Sequence, residues 1–131
     1  MGCHAKGTFT LKPAISKSCN SYFAATYRRI LENGKYPNRD SALSSFNQYA
    51  YSFGLGRRLG VDLPSEKMGN MPTPKYYHGI FGKNWQSCNI ISNSIGQGEI
   101  TTTLTQLANV MAIIANKGWY YTPHLIDSIE G

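Results

Sequence analysis

With 131 residues, 41% of them apolar and 12% aromatic, the chain is long enough to bury a core and too apolar for intrinsic disorder. No apolar run approaches the roughly 18–20 residues of a spanning helix, and Met1-Gly2-Cys3-His4 lacks the apolar centre of a signal peptide. Thirteen lysines and arginines against seven acids give a formal charge of +6; they are scattered rather than interleaved with aromatics, which describes a solvated basic surface and argues against a nucleic-acid partner.

Residues Met1 to Thr10 contain Gly2 and Gly7 and no helical period, so they read as an extended lead-in that begins by a cut. From Leu11 to Leu31 the apolar spacing turns helical, with Ile15, Cys19, Tyr22, Phe23, Tyr27 and Ile30 on one face. Pro13 suits a first turn, and Asn33-Gly34 suits a C-terminal stop. Periodicity leaves open whether this is one helix or two. A break beside Ser18-Cys19-Asn20 is expected if Ser18 and Asn20 face a ligand, because asparagine prefers a cap to a helix interior.

A second helix is expected from about Ser41 to Phe53, with Leu43, Phe46, Ala50 and Phe53 as its buried stripe and Gly54 past its end. Gly54-Leu55-Gly56 and Gly60-Val61-Asp62-Leu63-Pro64 read as tight reversals. They do not read as a phosphate loop, since no GxxxxGK[ST] is present. Ser65 to Asn84 breaks every period and reads as an ordered surface excursion, with Tyr76, Tyr77, His78 and Phe81 as packing or binding residues. Cys88 to Ser94 is apolar and β-branched. Thr103-Leu104-Thr105-Gln106 has the form of a capping box, opening a helix whose apolar stripe runs through Leu104, Leu107, Met111 and Ile114 to Gly118. Trp119 to Ile129 reads as a strand that lacks a partner.

Candidate chemistry is sparse. Three cysteines, Cys3, Cys19 and Cys88, are an odd number without CxxC spacing, which argues against a disulfide framework. Cys3-His4 alone is too little for a metal site. His4, His78 and His124 lie in no nucleophile motif, so a free-standing hydrolase is not indicated.

Five phrases change the weight of Ser18-Cys19-Asn20. They are Leu11 to Phe23, Gly54-Leu55-Gly56 with Gly60 to Pro64, Gly69-Asn70-Met71-Pro72-Thr73, Ile95 to Glu99, and Thr103 to Ala108. In that order they resemble class B penicillin-binding proteins, and the Gly69 to Thr73 phrase resembles the elongation-specific peptidoglycan D,D-transpeptidases among them. The resemblance covers essentially the whole chain. It implies the helical part of the penicillin-binding and serine β-lactamase-like fold, mainly α with a short β segment and truncated at both ends.

Enzymes of that family use an S-x-x-K nucleophile box, an S-x-N or S-x-D box, and a K-[ST]-G box. Ser18-Cys19-Asn20 matches the second. The resemblance makes Ser18 and Asn20 the catalytic residues here: Ser18 would bond the S-x-x-K lysine and help pass the proton, and Asn20 would also bind substrate by orienting its acyl-side amide. Cys19 would point away and pack. No serine or threonine precedes lysine by three residues, and no lysine precedes Ser-Gly or Thr-Gly. The chain therefore has no nucleophile box and no third box, and residues 1–131 are expected to be one internal piece of the transpeptidase domain, inactive alone.

The resemblance further implies peptidoglycan stem peptides and β-lactams as ligands of the parent, cell-wall elongation proteins as its partners, and no cofactor or metal. The parent is expected to be anchored in the bacterial inner membrane with this domain in the periplasm. The alternative is a non-catalytic interaction module of the elongation machinery.

Overall fold

A computed structural model describes residues 9–127. Among the described residues, five α-helices and one 3₁₀ helix carry the fold: α1 Leu11–Ser16, α2 Asn20–Leu31, α3 Arg39–Ser52, α4 Pro74–Phe81, a 3₁₀ helix Ser87–Ile95, and α5 Leu104–Ala115. No strand forms among the described residues. The β content is one antiparallel bridge, in which Asn70 and Thr101 exchange both backbone hydrogen bonds at 2.8 and 3.0 Å.

The chain divides into two compact units, the boundary falling inside α3: residues up to Phe46 with Thr73–Glu99, and Asn47–Pro72 with the residues from Ile100 onward. In the first unit the core gathers Tyr27 and Leu31 from α2, Ala42 and Leu43 from α3, Tyr77 from α4, and Trp85 and Ile90. Its aromatic rings meet edge-on or tilted, Tyr27 on Phe46 at 5.1 Å and Tyr77 on Trp85 at 5.9 Å between centroids, the arrangements that ring quadrupoles favour. Polar ties reinforce it: Trp85 Nε1 donates to the Asp40 carboxylate at 2.8 Å, and Ser87 Oγ donates to Glu32 at 2.5 Å.

In the second unit a polar residue does the stitching. Gln106, 1% exposed, donates through Nε2 to the carbonyls of Arg57 and Met68 at 2.7 and 2.9 Å, while its Oε1 accepts the Thr103 amide. One side chain thus satisfies three backbone groups that burial would otherwise leave unpaired. Glu66 likewise accepts the amides of Leu59 and Gly60. Gly69 has φ +64°, and a Cβ there would collide with the Thr101 carbonyl oxygen, so the bridge closes only over glycine.

Two sequence expectations are corrected, and a stretch with no expected element is found to have one. The excursion Ser65 to Asn84 contains a helix, α4, started by Thr73, whose side chain accepts the Tyr76 amide, and by Pro74 in the first turn. The β-branched run Cys88 to Ser94 is 3₁₀-helical, with Gln86 and Asn89 capping each other at its start. The tail is not a strand over 119–127; two of its amides, Leu125 and Ile126, instead donate to the exposed Asp62 carboxylate at 2.8–3.0 Å. Ser128 and Ile129 of that expected strand lie outside the described residues. In the excursion and the tail, helical or side-chain hydrogen bonding takes backbone groups that composition alone assigned to a loop or a ladder.

Candidate functional site

The helical stretch Leu11–Leu31 breaks at Ser18. The Cys19 amide donates to the Ala14 carbonyl and the Ser18 amide to the Ile15 carbonyl, at 2.9 and 3.0 Å, which is the paired bond pattern of a Schellman motif. Ser18 takes its left-handed position with φ +48°. The same bond pair closes α3 at Gly54, the 3₁₀ helix at Gly96 and α5 at Lys117. Glycine occupies two of those four turns, as steric relief dictates, whereas at the triplet a hydroxyl-bearing residue holds the strained position.

The turn sorts the three side chains. Ser18 and Asn20 are exposed, while Cys19 between them is 2% exposed and Ala14, its partner across the motif, is fully buried. Cys19 is also the N-cap of α2, its carbonyl accepting the Tyr22 amide at 3.1 Å, and Asn20 is the first helical residue. A serine hydroxyl and a carboxamide therefore stand on the solvent side of a rigid turn, two residues apart at the mouth of a helix. Such a pair can relay a proton and hold an amide, but it contains no activated nucleophile.

Cys19 is disulfide-bonded, and Cys88 is a free, exposed thiol. This corrects the expectation drawn from the cysteine count: a bond needs only two Cα atoms within roughly 4.4–6.8 Å, a distance that spacing in the sequence does not report. Cys3 and His4 lie outside the described residues. Among the described residues no group of three metal-ligating side chains forms. His78 pairs with Asp40 at 2.9 Å in the first unit, and His124 sits near Asp127 at 3.9 Å; among the described residues neither imidazole hydrogen-bonds a serine as a base would a nucleophile.

Sequence reasoning located the triplet and anticipated a break, but it did not anticipate the left-handed serine. The sequence carries no glycine there to mark it.

The whole chain matches known proteins. Residues 3–131 match the family model described as the penicillin binding protein transpeptidase domain, and the chain belongs to that family. The peptidoglycan D,D-transpeptidase MrdA of Acinetobacter baumannii is 37% identical over 125 residues, 95% of this chain and 17% of that protein. MrdA of Escherichia coli is 35% identical over 89 residues, 68% of this chain and 14% of that protein. The chain thus spans about a sixth of these curated relatives. The fold superposes on Pseudomonas aeruginosa PBP2, solved in complex with WCK 5153, with a TM-score of 0.78 and 26% identity over 98% of this chain and 26% of that one. It also superposes on Helicobacter pylori PBP2, solved in complex with MreC, with a TM-score of 0.71 and 26% identity over 91% of this chain and 20% of that one.

Proposed function

We propose that this chain is part of a peptidoglycan D,D-transpeptidase and supplies the S-x-N element of its acyl-transfer site. The observation that carries the reading is the pairing of exposed Ser18 and Asn20 at a left-handed turn, inside a chain that matches the transpeptidase family along its length. A serine in the left-handed region is the kind of cost found at functional positions, though Lys117 adopts the same conformation at the end of α5.

The chemistry follows from what the two groups offer. Cross-linking of stem peptides proceeds through a serine acyl-enzyme: a serine oxygen forms the ester bond as the terminal D-alanine amine leaves with a proton, and an acceptor amine then displaces the serine. The Ser18 hydroxyl both donates and accepts, so it can pass the proton between a neighbouring lysine and the leaving amine. The Asn20 carboxamide can accept from the substrate's N–H and donate to its carbonyl, orienting the peptide or a β-lactam that mimics it. The nucleophile and its lysine belong to an S-x-x-K box that this sequence does not contain, so the isolated chain is inactive and forms no acyl-enzyme.

The parent's setting follows from the same reading: an inner-membrane anchor, a periplasmic domain, and contacts with elongation proteins of the kind represented by MreC on the Helicobacter pylori relative. Among the described residues, no helix is long and apolar enough to cross a membrane. The interaction-module reading draws on the Ser65 to Trp85 stretch, but Tyr77 and Trp85 there are core residues, 0% and 2% exposed.

The test is acylation of a chain extended to the length of its relatives. Ser18→Ala and Asn20→Ala should each slow β-lactam acylation by roughly 10²–10³-fold, the loss expected for a single preorganised polar group. Acylation at the parental rate in both variants would refute the assignment.

A further inference from the structure

The turn at Ser18 has little packing behind it. Of residues 11–20 only Ala14 and Cys19 are buried, and the large apolar side chains of α1, Leu11 and Ile15, are 56% and 61% exposed. With six residues, α1 is too short to hold itself helical in water. Neither its N-cap, Thr10, nor the N-cap of α2, Cys19, makes a side-chain capping bond. The buried side chains of α2 are Tyr27 and Leu31, the nearer of them about two turns beyond the triplet.

The end of α5 provides a comparison. Lys117 takes the same left-handed position, with φ +59°, and the amides of Lys117 and Gly118 donate to the carbonyls of Ile114 and Ile113. That turn closes a helix of 12 residues that begins in a capping box and buries Gln106, Asn109 and Ile113. No such anchorage stands behind Ser18. A left-handed residue persists where its surroundings over-determine it, and the restraint that the triplet has and α5 lacks is covalent: Cys19 is disulfide-bonded.

We infer that Cys19 is a positioning residue: its disulfide, rather than the packing of α1, holds Ser18 in the left-handed turn and keeps the Ser18 hydroxyl and the Asn20 carboxamide on the solvent side. Cys19 is 2% exposed, so the bond restrains the triplet from its buried side and leaves the face that would meet substrate open. The triplet is positioned only while Cys19 is oxidised, a condition that an oxidising compartment such as the periplasm meets. The inference rests on the transpeptidase reading only for what the two polar groups then do; the restraint itself is a property of this chain.

Amide hydrogen exchange in the Cys88→Ser chain tests it, that substitution removing the free, exposed thiol that could otherwise exchange with the bond. A water-soluble phosphine cleaves the disulfide to two thiols, becoming the phosphine oxide with oxygen from water, and alters no other side chain. Alkylation in denaturant should find Cys19 blocked before this treatment and reactive after it. Reduction should speed exchange of the Ser18 and Cys19 amides, which donate to the Ile15 and Ala14 carbonyls, roughly tenfold or more, while Lys117 and Gly118 keep their protection. Ser18→Gly takes the left-handed angle without strain and should keep the Cys19 amide protected even in the reduced chain. A Cys19 thiol that is free before reduction overturns the inference, as does unchanged exchange at Ser18 and Cys19, equal acceleration at Gly118, or equal acceleration at Cys19 with glycine at position 18. In an extended chain that is acylated by β-lactams, reduction should lower the acylation rate roughly tenfold or more and reoxidation should restore it; a rate indifferent to both also overturns it. An extended parental chain that is not acylated tells against the proposed function and leaves the exchange result standing.

Discussion

Ser18 shows how a single backbone angle can separate stability from function. An L-residue in the left-handed region costs about 1–2 kcal/mol relative to its right-handed form, while glycine pays only a modest entropic penalty. Ser18→Gly is therefore expected to stabilise the isolated chain by up to about 1 kcal/mol in urea unfolding, and to abolish the hydroxyl's contribution in any acylating parent. Unchanged or reduced stability would mean that the turn is held by something other than its dihedral preference. Single charged groups also set the pH range of the fold. Glu32 is held below the usual carboxylate range by hydrogen bonds from Ser87 and Arg28, and Asp62 by those from the Leu125 and Ile126 amides. A carboxylate with a depressed folded pKa stabilises the fold above its unfolded value, and that contribution disappears as pH falls through the folded one. The urea midpoint should thus be level from pH 7 to about 5 and decline below about pH 4, with Asp62→Asn removing part of the decline. Tyr27 acts on the alkaline side. Its folded pKa is raised to about 12, burial being the main cause, so the stability it contributes is complete below about pH 10 and is lost as pH rises toward 12. A tyrosinate absorbance titration should show it ionising only as the fold opens.

Helices announced by local chemistry were legible in the sequence, and those announced only by their neighbours were not. The capping box at Thr103 and Gln106 forms as read, with both reciprocal bonds present. Thr103→Ala should cost about 0.5–2 kcal/mol, the usual range for a lost cap. Gln106→Ala should cost more, about 2–4 kcal/mol, because it also strands the Arg57 and Met68 carbonyls; thermal unfolding of both variants checks the order, and an equal loss would reduce Gln106 to a cap. The helix α4 was missed although Thr73-Pro74 is a sound start signal, because Gly79 and Gly82 near its end suggested a loop. No element was legible over Cys88 to Ser94, which is apolar and β-branched without a clear period; the structure buries Ile90 and Asn93 there, Ile90 at a kink with non-helical backbone angles. The tail could not be read at all: its backbone partner is a single carboxylate, Asp62, more than sixty positions earlier in the chain.

Across the molecule, the five phrases that carry the family resemblance fall in both compact units, and the structure explains several of them as packing. Gly69 admits the Thr101 carbonyl, and Gly98 admits Asn93. Fold class was thus readable from the phrases, while the division into two units and the disulfide at Cys19 depend on distances that a sequence does not state. The apolar stripe of α5 has an unexpected place. Gln106, Asn109 and Ile113 face inward, leaving Leu104, Met111 and Ile114 exposed at 85%, 60% and 62%. Met111→Lys should consequently change the stability of this chain by no more than about 0.5 kcal/mol and reduce its binding of a hydrophobic dye; a large loss of stability would show that the residue is buried in solution.

The central claim is that this chain holds the S-x-N element of a penicillin-binding transpeptidase without its nucleophile. Labelling with a fluorescent penicillin followed by intact-mass spectrometry tests it most directly, with this chain beside one extended at both ends to the length of its relatives. The account predicts no adduct on this chain and one covalent penicillin on the extended chain. A covalent adduct on this chain, mapped to any of its own serines, would contradict it.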